Sequence, residues 1–322
     1  MRKAAVVFLV YNRPELTRRV FERIKNARPD QLFVVCDGPK SNVIEDVERV
    51  RCVRALLEDG VDWPCEFHRE YAEHNMGCRA RVASGLNWAF GQVEDAIILE
   101  DDCLPDASFF PFCNALLDRY RNDPRIMQIG GTNFAASHIS CRESYWPSKH
   151  APIWGWATWS RAWRLYDFTM RSWGDRFETL RDSFANAWER EFWLSDWNRI
   201  RGNIEQATTW DVMWAFTLRA VGGLSLLPSE NLIENIGVGS DSTHTAAHET
   251  HLRLPVKSAP RNLNHPSKLV RSRYRDDMIT RRYAGLPDSV SGAITSALRN
   301  ANESIRYFCA ARDMAAPILP QA

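Results

Sequence analysis

Residues 96–102 of the chain read AIILEDD, and this stretch decides the fold class. Its four apolar residues do not alternate with polar ones, which predicts a short strand that is covered on both faces. The acidic triplet Glu100, Asp101 and Asp102 follows directly, so the charge begins where the strand ends.

Two apolar runs upstream end in the same way. Residues 4–10 (AAVVFLV) lead into Tyr11, and residues 32–36 (LFVVC) lead into Asp37. Further strands are predicted at 65–73 and 125–131, with helices after Asn12 and over about 43–57, 77–90 and 106–120. This alternation predicts an α/β fold with a mostly parallel, doubly wound sheet. Ligands bind at the carboxyl ends of the strands in such sheets, so the strand-end residues are expected along one edge.

The composition excludes several classes of protein. The chain has 322 residues, of which 45% are apolar and 25% charged, as in ordinary folded proteins. Lys and Arg number 41 against 40 Asp and Glu, and this balance argues against a nucleic-acid binder. The eight cysteines form no CxxC pair, which leaves a zinc or thioredoxin-like site without support. No run approaches the roughly 18 apolar residues of a membrane helix, so we expect a cytoplasmic protein.

The character of the sequence changes twice after the fifth predicted strand. Residues 132–246 hold most of the 13 tryptophans, and no linker separates them from residues 1–131, so both are expected in one domain. The tryptophans are either an aromatic core or platforms for sugar rings. Residues 247–322 are predicted to form a basic tail and a final helix. The tail could contact the anionic inner face of a membrane, remain solvated or pair with a second subunit.

The acidic triplet carries the strongest chemical signal. Three like charges at a sheet edge repel one another unless a cation neutralises them. Mg²⁺ and Mn²⁺ bind carboxylate and phosphate oxygens together, so the triplet predicts a divalent cation that carries a diphosphate. The alternative is an ordinary solvated turn before a helix that Asp106 caps.

Five motifs accompany the triplet in a characteristic order. They are YNRPELTRRVFERI (11–24), NMGCRARVASGLNWAFGQ (75–92), WGWATWSRAW (154–163), TWDVMWAF (209–216) and NLIENIGVGSDSTHT (231–245). The arrangement resembles the nucleotide-diphospho-sugar transferases of the GT-A (Rossmann-like) fold. It is most similar to the bacterial glycosyltransferase-like group labelled hemolytic protein HlpA-like, and is more distantly similar to N-acetylglucosaminyltransferase I. The resemblance covers about residues 4 to 246.

This resemblance implies a metal-dependent, inverting glycosyltransferase that uses Mn²⁺ or Mg²⁺. The donor would be a nucleotide-diphospho-sugar, most naturally a UDP-sugar, and the acceptor a glycan or lipid-linked hydroxyl. By the same resemblance, Asp102 binds the metal, while Glu100 and Asp101 face the sugar and ribose of the donor. The other implied donor contacts are Tyr11, Arg13, Asp37, Asn75, Gly77, Arg79 and Arg81. An arginine can balance the charge of a diphosphate, although Arg79 and Arg81 equally fit a solvated helix face.

An inverting transfer also needs a base that removes the proton of the acceptor hydroxyl. Asp211 is the candidate, because it stands near a predicted helix start among aromatic residues, where burial can raise the pKa of a carboxyl. It could instead cap that helix. The related transferase has a second acid at the next position, where this chain has Val212. His244 is either a second metal ligand or a loop histidine without that role.

Three tryptophans are candidates for sugar binding, and two alternative functions remain open. Trp154, Trp156 and Trp210 are expected to stack on the donor sugar or the acceptor, although one of the first two could be core. One alternative function is a nucleotidyltransferase acting on sugar phosphates, which usually carries a Gly-rich loop where this chain has residues 11–14. The other is a non-catalytic glycan-binding protein that needs neither metal nor nucleotide.

Overall fold

Residues 2–237 and 253–284 are described by the computed structural model, and they form a mixed α/β fold. The strands are β1 (Ala5–Val10), β2 (Gln31–Cys36), β3 (Glu66–Tyr71), β4 (Asp95–Glu100), β5 (Cys103–Pro105), β6 (Ile126–Gly130), β7 (Tyr145–Ser148), β8 (Trp156–Trp159), β9 (Leu224–Pro228) and β10 (Ile233–Asn235). The helices are α1 (Pro14–Ala27), α2 (Ile44–Gly60), α3 (Cys78–Phe90), α4 (Phe109–Arg119), α5 (Ser160–Trp163), α6 (Trp173–Asp182), α7 (Ala187–Gly202), α8 (Asp211–Ala220) and α9 (Arg273–Tyr283).

The central sheet has eight strands in the order β3-β2-β1-β4-β8-β6-β9-β7. Strands β1 to β4 run parallel, and β6 pairs in parallel with β9, whereas β7 and β8 pair antiparallel to their neighbours. A second, two-stranded sheet pairs β5 with β10. The predicted mostly parallel α/β fold is therefore confirmed, with two antiparallel strands that the sequence did not predict.

The sheet is covered on both faces, as the unbroken apolar runs predict. In β1, Val6 and Phe8 pack in a cluster with residues of α1, α2 and α4. The alternate residues Val7 and Leu9 pack in a second cluster with residues of α3, α5 and α8. The sheet is doubly wound, so its strands present side chains to a ligand only beyond their ends.

The carboxyl ends of four parallel strands lie at one edge of the sheet. Leu9 in β1 is in register with Glu100 in β4, and Val10 is in register with Cys36 in β2. The residues that follow β1, β2, β3 and β4 therefore meet at this edge, as predicted, and they form the candidate site.

Part of the predicted basic tail is packed into the fold. Asp276 in α9 is fully buried and accepts hydrogen bonds from Ser148 in β7 (2.6 Å) and Arg271 (2.5 Å). Residues 285–322, which include the predicted final helix, lie outside the described residues. Among the described helices, none is long and apolar enough to cross a membrane. Contact of the basic segment with a membrane surface stays a prediction.

Candidate active site

The acidic triplet and the end of β1 form one hydrogen-bonded group. Glu100 is the last residue of β4, and Asp101 and Asp102 form the turn after it. Arg13, three residues beyond β1, donates from one terminal nitrogen to Asp101 (2.5 Å) and from the other to Asp102 (3.0 Å). A guanidinium fork suits two adjacent carboxylates, so Arg13 fixes the shape of the acidic turn.

Burial and mutual repulsion make Glu100 and Asp101 hard to ionise. Burial raises the pKa of Asp101 to about 6, and the charge of Asp102 adds to this rise, while Arg13 lowers it. Burial also holds the pKa of Glu100 well above the usual range of a carboxyl. Glu100 Oε1 and Asp101 Oδ2 are buried atoms without a hydrogen-bond partner. An added positive charge would therefore stabilise this cluster.

Asp37, at the end of β2, organises the loop that follows β3. Its carboxylate accepts hydrogen bonds from the main chain of Gly38 (2.8 Å), Met76 (2.9 Å) and Gly77 (3.1 Å) and from the side chain of Asn75 (3.1 Å). Gly77 has a φ of +77°, which favours glycine, and it leads into α3. Asp37, Asn75 and Gly77 thus lie together, as the predicted donor site requires. The Asp37 carboxylate, however, accepts hydrogen bonds from the loop itself.

Tyr11 is held by an acidic residue that sequence reasoning missed. Its hydroxyl donates to Asp46 in α2 (2.6 Å), and the Asn12 side chain donates to the same carboxylate (2.5 Å). Burial raises the pKa of Tyr11, and the hydrogen bond to Asp46 adds to the rise. Asp46 is 4% exposed within a stretch of exposed residues, and the sequence carries no periodic signal that would have identified it.

Arg79 and Arg81 do not present free guanidinium groups to a diphosphate. Arg79 donates to the main-chain carbonyls of Ile204 (2.7 Å) and Phe168 (2.8 Å). Arg81 donates to the carbonyl of Glu70 and lies 3.4 Å from the carboxylate of the same residue. Both arginines are buried, so neither predicted alternative, a diphosphate ligand or a solvated helix face, fits this geometry.

Asp211 is the first residue of α8 and acts electrostatically on the acidic cluster. The N-cap position belongs to Trp210, so Asp211 is not the helix cap that the sequence allowed as an alternative. Its charge adds to the rise in the pKa of Glu100, which burial dominates. The Thr209 hydroxyl donates a hydrogen bond to the Asp211 carboxylate. A carboxylate from the Trp-rich half of the sequence is thus brought within electrostatic reach of the strand-end acids.

Cys78 lies between the two sides of the site and was not singled out from the sequence. It is the first residue of α3 and directly follows Gly77. Desolvation raises the pKa of its thiol, and four carboxylates add to the rise: Glu100, Asp211, Asp102 and Asp37. The signal in the sequence was its position directly after Gly77, at the start of a helix beside the strand ends.

Two of the three predicted sugar-stacking tryptophans are core residues. Trp156 is fully buried in β8 and stacks on Trp210 at 5.7 Å, and Trp210 is 2% exposed. Both predictions of sugar stacking are therefore wrong, because β8 lies inside the sheet between β4 and β6. Trp154 precedes β8 across Gly155, whose φ is +59°, so it does not share a strand face with Trp156. It is half-buried, and its ring lies 5.4 Å from that of Phe134.

The predicted metal site is represented by Asp102 alone. Its side chain is 19% exposed, and a Cβ atom added to Gly237 would lie 2.5 Å from Asp102 Oδ2, so only glycine fits there. Among residues 2–237 and 253–284, no group of three or more His, Cys, Asp or Glu side chains converges to hold a metal. His244 falls outside the described residues, and its role stays a prediction.

Comparison with known proteins adds little to this geometry. No protein-family model matches the chain, and no curated protein matches it. Residues 1–349 of TarS from S. aureus align with 96% of this chain and 81% of that one, at 10% identity and a TM-score of 0.38. UDP-glucose pyrophosphorylase complexed with UDP-glucose aligns with 71% of this chain and 90% of that one, at 10% identity and a TM-score of 0.34. The apo form of a UDP-glucose pyrophosphorylase aligns with 72% of this chain and 93% of that one, at 9% identity and a TM-score of 0.34. Likeness at this level carries no inference about activity.

Proposed function

We propose that the chain is a metal-dependent, inverting glycosyltransferase that moves a sugar from a nucleotide-diphosphate donor to a hydroxyl group of a glycan or glycolipid. The observation that carries the proposal is the cluster of carboxyl groups at the end of β4, where Arg13 binds Asp101 and Asp102 while Glu100 Oε1 and Asp101 Oδ2 are buried without a hydrogen-bond partner. In-line displacement at the sugar carbon needs a base that faces the acceptor, and a separate charged group that faces the leaving diphosphate. Asp211 would be the base, and a cation held by the acidic triplet would supply the positive charge that the leaving diphosphate needs.

The charge of the site supports a requirement for a divalent cation. A diphosphate brings further negative charge to a cluster in which two carboxyl groups already have raised pKa values. Within the described residues, Arg13 forms ion pairs with the cluster. Both of its terminal nitrogens bind carboxylates of the cluster. The carboxylate oxygens and the partly exposed side chain of Asp102 suit Mn²⁺ or Mg²⁺, so the residues present fit the ion. Asp102 would hold it together with phosphate oxygens, and the ion would neutralise charge on the leaving group.

The remaining steps belong to the side chains of the chain itself. Asp211 removes the proton of the acceptor hydroxyl, and the Thr209 hydroxyl orients its carboxylate. Arg13 holds Asp101 and Asp102 in fixed positions. Glu100, at the end of β4, forms a hydrogen bond with a hydroxyl group of the donor sugar. A UDP-sugar is the donor that we expect.

The two other functions fit the site less well. A nucleotidyltransferase joins a sugar phosphate to a nucleotide, so it must hold more phosphate groups. Within the part of the chain that the structure describes, Arg79 and Arg81 do not supply positive charge for them, since both are bound within the protein. A glycan-binding protein needs exposed aromatic platforms, whereas Trp156 and Trp210 are core residues.

Calorimetric titration of the protein with UDP-, GDP-, CMP- and dTDP-sugars tests the proposal. Each donor is added with Mn²⁺ and with EDTA, to the wild type and to Asp102→Ala. We expect one class of donor to bind only with Mn²⁺ and the affinity to fall at least about tenfold in Asp102→Ala, since charge-assisted metal contacts are lost. Comparison of the anomeric configuration of that donor with that of the product by NMR then tests inversion. Binding that is unaffected by EDTA and by Asp102→Ala would refute the metal site.

A further inference from the structure

Arg79 is a buried cation whose partners are neutral. It lies in the first turn of α3 and is 9% exposed. Its guanidinium donates to the carbonyls of Ile204 and Phe168 at 2.7 and 2.8 Å, and its central carbon lies 3.9 Å above the Phe168 ring. Burial lowers its pKa. Its direct hydrogen-bond partners are neutral carbonyls, and Glu205 only partly offsets the effect of burial on its pKa. These contacts indicate a geometric role rather than an ion pair.

Both segments that Arg79 contacts lead to Asp211. Ile204 lies seven residues before Asp211 and begins a single turn of 3₁₀ helix, Ile204–Gln206. Phe168 lies two residues after Tyr166, whose hydroxyl donates to the carbonyl of Trp210 at 3.0 Å. Trp210 is the residue directly before Asp211. One guanidinium therefore binds the two chain segments that set the position of the start of α8.

The residues directly before this helical turn are bound to a strand end, because Met76 and Gly77 donate main-chain hydrogen bonds to Asp37 after β2. Cys78, directly before Arg79, has a thiol whose pKa is raised by desolvation and by the charges of Glu100 and Asp211. The start of α3 is thus bound on one side to Asp37 at the strand ends and on the other, through Arg79, to the segments that lead to Asp211.

We propose that Arg79 is a positioning residue that fixes the distance between Asp211 and the strand-end acids by binding the Phe168 and Ile204 segments to the start of α3. It acts through Asp211 and does not contact the donor diphosphate. This inference rests on the proposed function for the role of Asp211 as base, but the connection between the segments can be tested separately.

The kinetic test compares Arg79→Met and Arg79→Lys with the wild type, once a donor and an acceptor are known. A base displaced by about 1 Å can lower the rate by about 100-fold, so we expect kcat of Arg79→Met to fall by about 10- to 100-fold. Its Kd for the donor with Mn²⁺ should stay within about threefold of the wild type. Arg79→Lys keeps the charge but loses one of the two contacts of the guanidinium, so it should recover part of kcat. A donor Kd raised by tenfold or more with kcat unchanged would make Arg79 a diphosphate ligand and overturn the proposal. An unchanged kcat with unchanged Kd would also overturn it.

Hydrogen exchange tests the connection without any activity. Arg79→Met should raise amide exchange in residues 164–172 and 203–210 together, while residues 96–102 keep wild-type protection. The matched control is Arg81→Met, which removes a buried arginine from the same helix but should raise exchange in β3, where Arg81 binds Glu70. Equal protection of both segments in Arg79→Met and the wild type would overturn the proposal even if donor binding is confirmed. If the wild type binds no donor, the proposed function fails, and exchange still decides whether Arg79 joins the segments.

Discussion

Replacement of Asp101 by Asn should change the pH dependence of stability in a defined direction. Asp101 is 2% exposed, and burial raises its pKa from 3.8 to about 6 against the opposing effect of Arg13. The unfolded chain loses this proton near pH 3.8, whereas the folded chain keeps it until about pH 6. The folded state binds more protons between these values, so its stability falls as the pH rises through this window.

The size of the effect follows from the same two pKa values. Since one pH unit corresponds to about 1.4 kcal/mol, the rise from 3.8 to about 6 lowers the stability by about 3 kcal/mol once the pH exceeds 6. Between pH 4.5 and 7.5, about 2 kcal/mol of this loss should be observable. Asp101→Asn removes this loss, and it also removes a charge that raises the pKa of Glu100, so both effects act in the same direction.

Urea unfolding of the wild type and Asp101→Asn over this pH range measures the difference. The difference in free energy of unfolding, variant minus wild type, should increase by about 2 kcal/mol from pH 4.5 to 7.5. Asp46→Asn is a control with the opposite sign. Burial raises the pKa of Asp46, but hydrogen bonds from Tyr11, Lys40 and Asn12 lower it overall, so its contribution is lost as the pH falls. Parallel curves for the wild type and Asp101→Asn would refute the description of the acidic turn.

Two further substitutions test the metal site and the aromatic core. Gly237→Ala adds a Cβ atom 2.5 Å from Asp102 Oδ2, so it should displace this carboxylate and weaken Mn²⁺-dependent donor binding. Calorimetry at equal donor concentration measures the affinity of the variant. A donor affinity equal to that of the wild type would contradict the prediction. Trp156→Ala should lower the free energy of unfolding by about 3–5 kcal/mol, the range for removal of a buried tryptophan, as measured by urea unfolding. A loss below about 1 kcal/mol would mean that Trp156 is not a core residue.

The sequence predicted the part of the fold that local patterns determine. Unbroken apolar runs ended at charged or turn residues, and parallel strands bring such ends to one edge, so Asp37 and the acidic triplet were expected together. Strands β7 and β8 have four residues each, and three of these eight residues are tryptophans. Such short runs carry no periodicity that distinguishes a strand from a loop. Their antiparallel pairing depends on distant partners and could not be predicted locally.

The errors at the site have a common physical cause. Whether Arg79, Trp156 and Trp210 face a ligand depends on how residues 132–237 pack on α3 and the sheet, which no single motif encodes. The tryptophans matched a sugar-binding pattern, but the insertion of β8 between β4 and β6 buried them. Asp46 and Cys78 were missed because an isolated acid and an isolated thiol have no spacing to recognise.

The role of Asp211 is tested most directly by a comparison of donor binding with sugar transfer in Asp211→Asn. Asp175→Asn is a matched control, since Asp175 also lies in the first turn of a helix but is exposed and outside the site. The account predicts that Asp211→Asn binds the donor with Mn²⁺ within about threefold of the wild type and transfers sugar about 10²- to 10⁴-fold more slowly, the usual range for loss of a general base. Transfer by Asp211→Asn at the rate of the wild type and of Asp175→Asn would contradict the account.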